Sequence, residues 1–180
     1  AAAIGRLSRG GTEVALVLGG GNIWRGRDAA PDMDDVTADH MGMLGTAINA
    51  LAMQDALCRA GLEARVMSAV EMTAFAEPYF FRAAREHLSS GRVVLFCCGT
   101  GDPFHSTDTA AAQRAAEMGA GILLLAKNVD GVYDGDPKRD KGVKLLRDLT
   151  FDEALQLKSS GIDTAALIIC KNRGIPIHVF

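Results

Sequence analysis

Five short runs rich in β-branched and other large apolar residues, at 14–18, 64–67, 93–98, 122–125 and 175–180, read as buried strands. Between them lie stretches of helical periodicity at 40–60, 81–88, 109–118, 151–157 and 164–172. Strand alternating with helix along a chain means parallel pairing, because each return to the same edge of a sheet needs a crossover. The expected fold class is therefore α/β, with a mainly parallel central sheet and helices on both faces.

The 180 residues, 48% of them hydrophobic, suffice for a single domain over 1–180 with a sizeable core. A formal net charge of −3 gives no general attraction to nucleic acid or to an anionic membrane, so any anion site has to be local. No apolar run reaches membrane-spanning length and no signal-peptide pattern precedes the first strand, which makes the cytoplasm the expected location. Cys58, Cys97, Cys98 and Cys170 lack CxxC spacing and all sit among apolar residues, where reduced core cysteines are expected. All six lysines (Lys127, Lys138, Lys141, Lys144, Lys158 and Lys171) lie in the last third of the chain. Residues 1–11 read as the tail of a helix and Phe180 as the last residue of a strand, so the chain is expected to be cut from something longer.

Four stretches carry candidate chemistry. In LVLGGGNIWRG (16–26), consecutive glycines leave a strand. Dinucleotide spacing started at Gly19 fails at Trp24, and P-loop spacing from Gly21 to Gly26 is followed by Arg27 and Asp28 instead of Lys and Ser/Thr. What remains is a loop whose backbone N–H groups can approach an anion, with Arg25 supplying a fork for phosphate oxygens. A tight turn with a surface arginine is the plainer alternative. In CGTGDPFHSTDTAAA (98–112), a glycine–proline loop opens a helix on which Ser106, Thr107 and Asp108 fall at cap and first-turn positions, a place suited to phosphate as well as to capping.

In AKNVDGVYDGDP (126–137), Lys127, Asn128, Tyr133 and Asp136 surround a polar turn; EF-hand spacing is absent, and an ordinary surface turn remains an alternative. In TADHMGM (37–43), Thr37 or Asp39 is either a helix cap or, for Asp39, an acceptor for ribose hydroxyls. His40, His87 and His178 lack partners at metal or triad spacing, and the methionines of 40–60 read as core or subunit-interface filler. Three strand ends followed by glycine-bearing polar loops suit a ligand at the carboxyl edge of an open sheet.

Taken in order, GGGNIWRG, ADHMGM, GTGDPFHSTD and VDGVYDGDP resemble the bacterial UMP kinases of the amino-acid-kinase superfamily, over roughly residues 11–180. The resemblance implies a three-layer α/β/α sandwich, a homohexamer, and Mg²⁺-assisted transfer of the ATP γ-phosphoryl group to UMP. It places UMP against Gly20, Asp39, Thr100, Gly101, Asp102, Pro103, Phe104, His105, Ser106 and Thr107. ATP would lie against Gly21, Arg25, Lys127, Asn128, Tyr133 and Asp136. Arg25 and Asp108 take the catalytic positions, Mg²⁺ is held chiefly by nucleotide phosphates with no protein metal ligand named, and GTP activation and UTP inhibition are implied.

The chain departs from the family pattern at His105, where an aromatic is usual, and at Ile162, where methionine usually precedes Asp163. The family's opening strand, its lysine-bearing phosphate loop and its final segment are not in the sequence. The chain is thus expected to be an amino-acid-kinase domain lacking its first and last segments, and inactive as it stands. Two other readings keep the same fold: a kinase for another acceptor, and a nucleotide-binding or anion-storage protein without turnover.

Overall fold

The computed structural model describes residues 1–26, 32–135, 142–157 and 161–180. They form an α/β fold in two compact units that divide between Thr107 and Asp108.

The first unit runs α1 (Ala2–Arg9), β1 (Ala15–Val17), α2 (Asp35–Arg59), β2 (Ala64–Ser68), β3 (Glu77–Pro78), α3 (Phe81–Ser89) and β4 (Val93–Cys97). Its sheet has the order β1-β4-β2-β3 and every pairing is parallel. β4 lies between β1 and β2, and all five of its residues are buried. Side chains alternate across a strand, so Val93, Leu95 and Cys97 share one face. There they meet Ala47, Ala50 and Leu57 of α2 together with Ala64 and Val66 of β2. Phe96 points to the other face and meets the edge of the Tyr79 ring, 5.4 Å between centroids. α3 buries Ala84 and Leu88 and packs on β4.

α2 begins five residues earlier than the apolar spacing predicts. Asp34 caps it, accepting hydrogen bonds from the Thr37 N–H (2.9 Å) and the Thr37 hydroxyl (3.0 Å). Thr37 and Asp39, read from the sequence as possible caps, are inside the helix. The signal was hidden because 32–39 is polar, and a capped first turn needs no apolar face. A second correction concerns Cys58, which is exposed although its neighbour Leu57 is fully buried; one step along a helix turns a side chain by about 100° and out of the core.

The second unit holds α4 (Thr107–Met118), whose first residue belongs to the first unit, then β5 (Leu123–Leu125), β6 (Val132–Tyr133), β7 (Leu145–Leu146), α5 (Phe151–Gln156), α6 (Thr164–Arg173) and β8 (Ile177–Val179). β5 and β8 pair in parallel, and β6 and β7 form an antiparallel ribbon. Ala112, Ala115, Ala166, Cys170 and Ile175 make the core. Thr150 and Glu153 close a capping box on α5, and Gly174 ends α6 in the left-handed region at φ 65°. The two-residue strands β3, β6 and β7 have no counterpart in the sequence reading, since two residues are too few to carry periodicity. Asp136, with Lys138, Lys141 and Lys158, lies outside the described residues.

Candidate functional site

Because β1 and β4 are adjacent and parallel, the chain leaves both at the same edge, and the loops at 19–22 and 98–106 emerge side by side. A cavity of about 210 Å³ opens there, lined by Gly20, Gly21, Trp24, Arg25, Asp39, Gly42, Met43, Thr46, Gly99, Thr100, Asp102, His105, Ser106 and Thr107. Nine of these are residues the sequence singled out: Gly20, Gly21, Arg25, Asp39, Thr100, Asp102, His105, Ser106 and Thr107.

The glycine loop sits hard against α2. A Cβ on Gly20 would fall 2.5 Å from the Gly42 carbonyl oxygen and 2.9 Å from the Thr46 nitrogen, both backbone atoms that cannot move aside. Gly45 answers from the helix, where a Cβ would lie 3.3 Å from the Gly20 oxygen. Within the loop the Gly20 carbonyl accepts the N–H groups of Ile23 and Trp24, and the Gly21 carbonyl accepts Arg25 Nε–H at 2.6 Å. Arg25 is thereby folded back along its own loop, where it lines the cavity.

Across the opening, the loop after β4 turns through two non-glycine residues of positive φ, Cys98 at 61° and Phe104 at 66°. Each is held. Cys98 N–H donates to the Thr46 hydroxyl at 2.7 Å, and Phe104 N–H donates to Asp39 Oδ2 at 2.7 Å. Asp39 thus spends one oxygen on the loop. Phe104 itself is 72% exposed, and neither it nor Gly101 nor Pro103 lines the cavity. Behind the wall, hydrogen bonding to Cys98 and burial push the Cys97 thiol well above its ordinary range, so it stays protonated.

In the second unit, Lys127 follows β5, and its Nζ donates to both oxygens of Asp108 at 2.6 and 2.5 Å in a half-buried ion pair. Asp108 Oδ2 also accepts the Asp163 N–H at 3.3 Å. Tyr133 donates its hydroxyl to Asp130 at 2.5 Å; this bond holds the Asp130 carboxyl below its ordinary value and pushes the Tyr133 phenol up. Asn128 is exposed. A larger cavity of about 370 Å³ lies between the β6–β7 ribbon, α5, α6 and β8, and no predicted site residue lines it.

Trp24, Gly42, Met43, Thr46 and Gly99 complete the first cavity without having been assigned to it. Met43, which reads as core filler by its spacing, packs against the core and also lines the opening. Trp24, the chain's one tryptophan, donates its indole N–H to the Ala38 carbonyl at 2.9 Å and stands as a fixed wall. The polar break Thr46 and Asn49 in the otherwise apolar stretch 41–53 of α2 was the visible signal that this face of the helix serves something besides the core.

A glycine cradle, a helix N-terminus and a guanidinium at the carboxyl edge of a parallel sheet define an open-sheet α/β protein whose edge is suited to an anion. The chain belongs to the Amino acid kinase family, whose model it matches over residues 1–180. Among solved structures it is similar to the UMP kinase from Bacillus anthracis, with 40% identity and a TM-score of 0.93 over 98% of this chain and 74% of that one. It is similar also to the UMP kinase from Ureaplasma parvum, at 38% identity and a TM-score of 0.91, over 98% of this chain and 76% of that one. The uridylate kinase from Archaeoglobus fulgidus is more distant: 27% identity and a TM-score of 0.73, with 98% and 78% covered.

Proposed function

We propose that this protein is a UMP kinase: an oxygen of the UMP phosphate attacks the γ-phosphorus of ATP in line, a new O–P bond forms as the bond to the ADP oxygen breaks, and UDP and ADP leave. The observation that carries this reading is the cavity of about 210 Å³, in which the glycine loop and Arg25 share one opening with Asp39 and the Thr100, Ser106 and Thr107 hydroxyls. Phosphoryl transfer asks a protein mainly to position two anions and to neutralise charge, and this opening holds the means for both.

UMP takes the first unit's cavity. Its phosphate meets the amides of Gly20 and Gly21, a ribose hydroxyl donates to the Asp39 oxygen that Phe104 leaves unused, and the loop at 100–107 borders the base. Arg25 stabilises charge on the transferring group. ATP is assigned to Gly21, Arg25, Lys127, Asn128, Tyr133 and Asp136, with Asp108 fixing the ammonium of Lys127. Residues 1–180 act here as a single amino-acid-kinase domain.

Among the described residues no three His, Cys, Asp or Glu side chains converge, and both Asp108 oxygens are already engaged. Following the family resemblance, the proposal has Mg²⁺ arrive on the nucleotide, with phosphate oxygens and water as its chief ligands. When bound it would supply positive charge to the nucleotide phosphates. The proposal extends to a homohexamer, supported by the exposed α2 stripe Met41, Leu44, Ile48 and Leu51 at three-and-four spacing. It extends also to GTP activation and UTP inhibition, supported by the family resemblance, and to the cytoplasm, where its nucleotide substrates are. No helix among the described residues is long and apolar enough to cross a membrane.

The test is a coupled ADP-release assay on the full gene product with UMP, CMP, AMP or no acceptor. Turnover confined to UMP supports the reading. Equal turnover with other acceptors, or tight ATP binding with no ADP formed, removes it.

A further inference from the structure

We propose that Asn49, on the second unassigned polar position of α2, is the positioning residue that sets the glycine cradle for phosphate. Its amide makes three bonds to the loop. Asn49 Nδ2 donates to the Gly19 carbonyl at 2.7 Å and to Asn22 Oδ1 at 2.7 Å, and Asn22 Nδ2 donates back to Asn49 Oδ1 at 3.2 Å. The pair is reciprocal, bridges 27 residues of sequence, and grips the loop at both ends of its glycines.

Peptide planarity turns that grip into an orientation. In a trans peptide the C=O of one residue and the N–H of the next point in opposite directions. Drawing the Gly19 carbonyl onto Asn49 therefore turns the Gly20 N–H away from Asn49. The Gly20 carbonyl is spent on Ile23 and Trp24, which turns the Gly21 N–H away from that turn in the same manner, and the Gly21 carbonyl is spent on Arg25. Three successive carbonyls are thus tied down. The N–H groups of Gly20, Gly21 and Asn22 have no partner among the described residues.

Glycine carries no side chain to resist rotation of these planes, so without an external restraint the amides would sample many directions. Among the described residues only the Gly19 plane is fixed from outside the loop by a side chain, and that side chain is Asn49. Asn49 lies behind the loop and not among the cavity-lining residues, so it acts through the cradle and not on the substrate. Thr46, one turn earlier on α2, holds the facing loop through the Cys98 N–H, so one helix sets both walls.

This inference rests on the UMP kinase reading, and the experiment separates the two. The full gene product as wild type, Asn49→Ala and Asn49→Asp is assayed for UMP-dependent ADP release, with thermal unfolding followed in parallel. The expected result is a kcat lowered at least about tenfold in both variants, with KM for UMP changed by less than about threefold, because misaimed amides fail most in the transition state. A protonated aspartic acid can donate to the Gly19 carbonyl and an aspartate cannot. The Asn49→Asp activity relative to wild type at the same pH is therefore expected to rise as pH is lowered from about 6.5 to about 4, through the ordinary carboxyl range.

A kcat within about twofold of wild type in either variant overturns the proposal, as does an Asn49→Asp ratio that stays flat with pH. If wild type itself shows no UMP turnover, the UMP kinase reading has failed. Asn49 is then judged by inorganic phosphate alone, titrated against Trp24 fluorescence. Binding weakened by more than about twofold in Asn49→Ala, with the thermal midpoint unchanged, upholds the positioning role, and a smaller change overturns it.

Discussion

Gly20 has no room for a side chain, and this is a stronger statement than that glycine loops bind phosphate. Its absent Cβ is replaced by the backbone of Gly42 and Thr46. Gly20→Ala is expected to cost about 1–3 kcal/mol by forcing the loop off α2, read as a lowered midpoint in urea denaturation. Activity should fall further than stability does, since the cradle is displaced. Arg25 is the opposite case: an exposed side chain whose fold-back contact is made with its own loop. Arg25→Ala should leave the urea midpoint nearly unchanged and lower kcat/KM by one to several powers of ten, about the range for losing a transition-state charge contact. An unchanged kcat/KM would return Arg25 to an ordinary surface role.

At the scale of elements, α5 is started by a cap made entirely of its own local sequence. Thr150 and Glu153 satisfy one another's backbone on α5, and Thr150→Ala is expected to cost about 1 kcal/mol in thermal or urea unfolding. The same box makes stability depend on pH with a definite sign. Hydrogen bonds from the Thr150 N–H and hydroxyl lower the Glu153 carboxyl below its ordinary 4.5, so the folded state favours the ionised form. That contribution is complete above the unfolded value and lost as pH falls through the lower folded one. The Tm gap between wild type and Glu153→Gln should therefore be present at neutral pH and close as the solution is acidified below 4.5. A gap constant from neutrality into strong acid would show that the carboxylate is not what matters there.

At the scale of the molecule, the α2 face opposite the core exposes Leu44 and Ile48, each 57% accessible, with Met41 and Leu51 in line. Leucine and isoleucine at such spacing on a 25-residue helix make a seam for a second helix. Leu44→Glu combined with Ile48→Glu should reduce the particle mass seen by analytical ultracentrifugation, with the far-ultraviolet circular dichroism retained. An unchanged mass would mean that self-association, if present, uses another face.

Most of the fold was legible in the chain because the strands are apolar runs and the helices carry their own periodicity and stop signals; β4 and α3 are examples that period alone locates. The boundaries that failed, at the start of α2 and at the two-residue strands, failed because caps and short pairings leave no periodic trace. The site was legible as separate stretches. Gly20, Arg25, Asp39 and Thr107 could each be suspected from residue type, but a glycine turn, a surface arginine and a helix cap have the same letters whether or not they face one another. Tertiary structure decided that they do, by laying β1 beside β4 so that both loops leave at one edge. It also decided what the letters concealed: that Asp39 spends one oxygen on Phe104, that Met43 is cavity wall as well as core, and that Asn49 reaches back 30 residues to the Gly19 carbonyl. Local sequence encodes propensity within a few residues of itself; the direction of a peptide plane is set by what packs behind it.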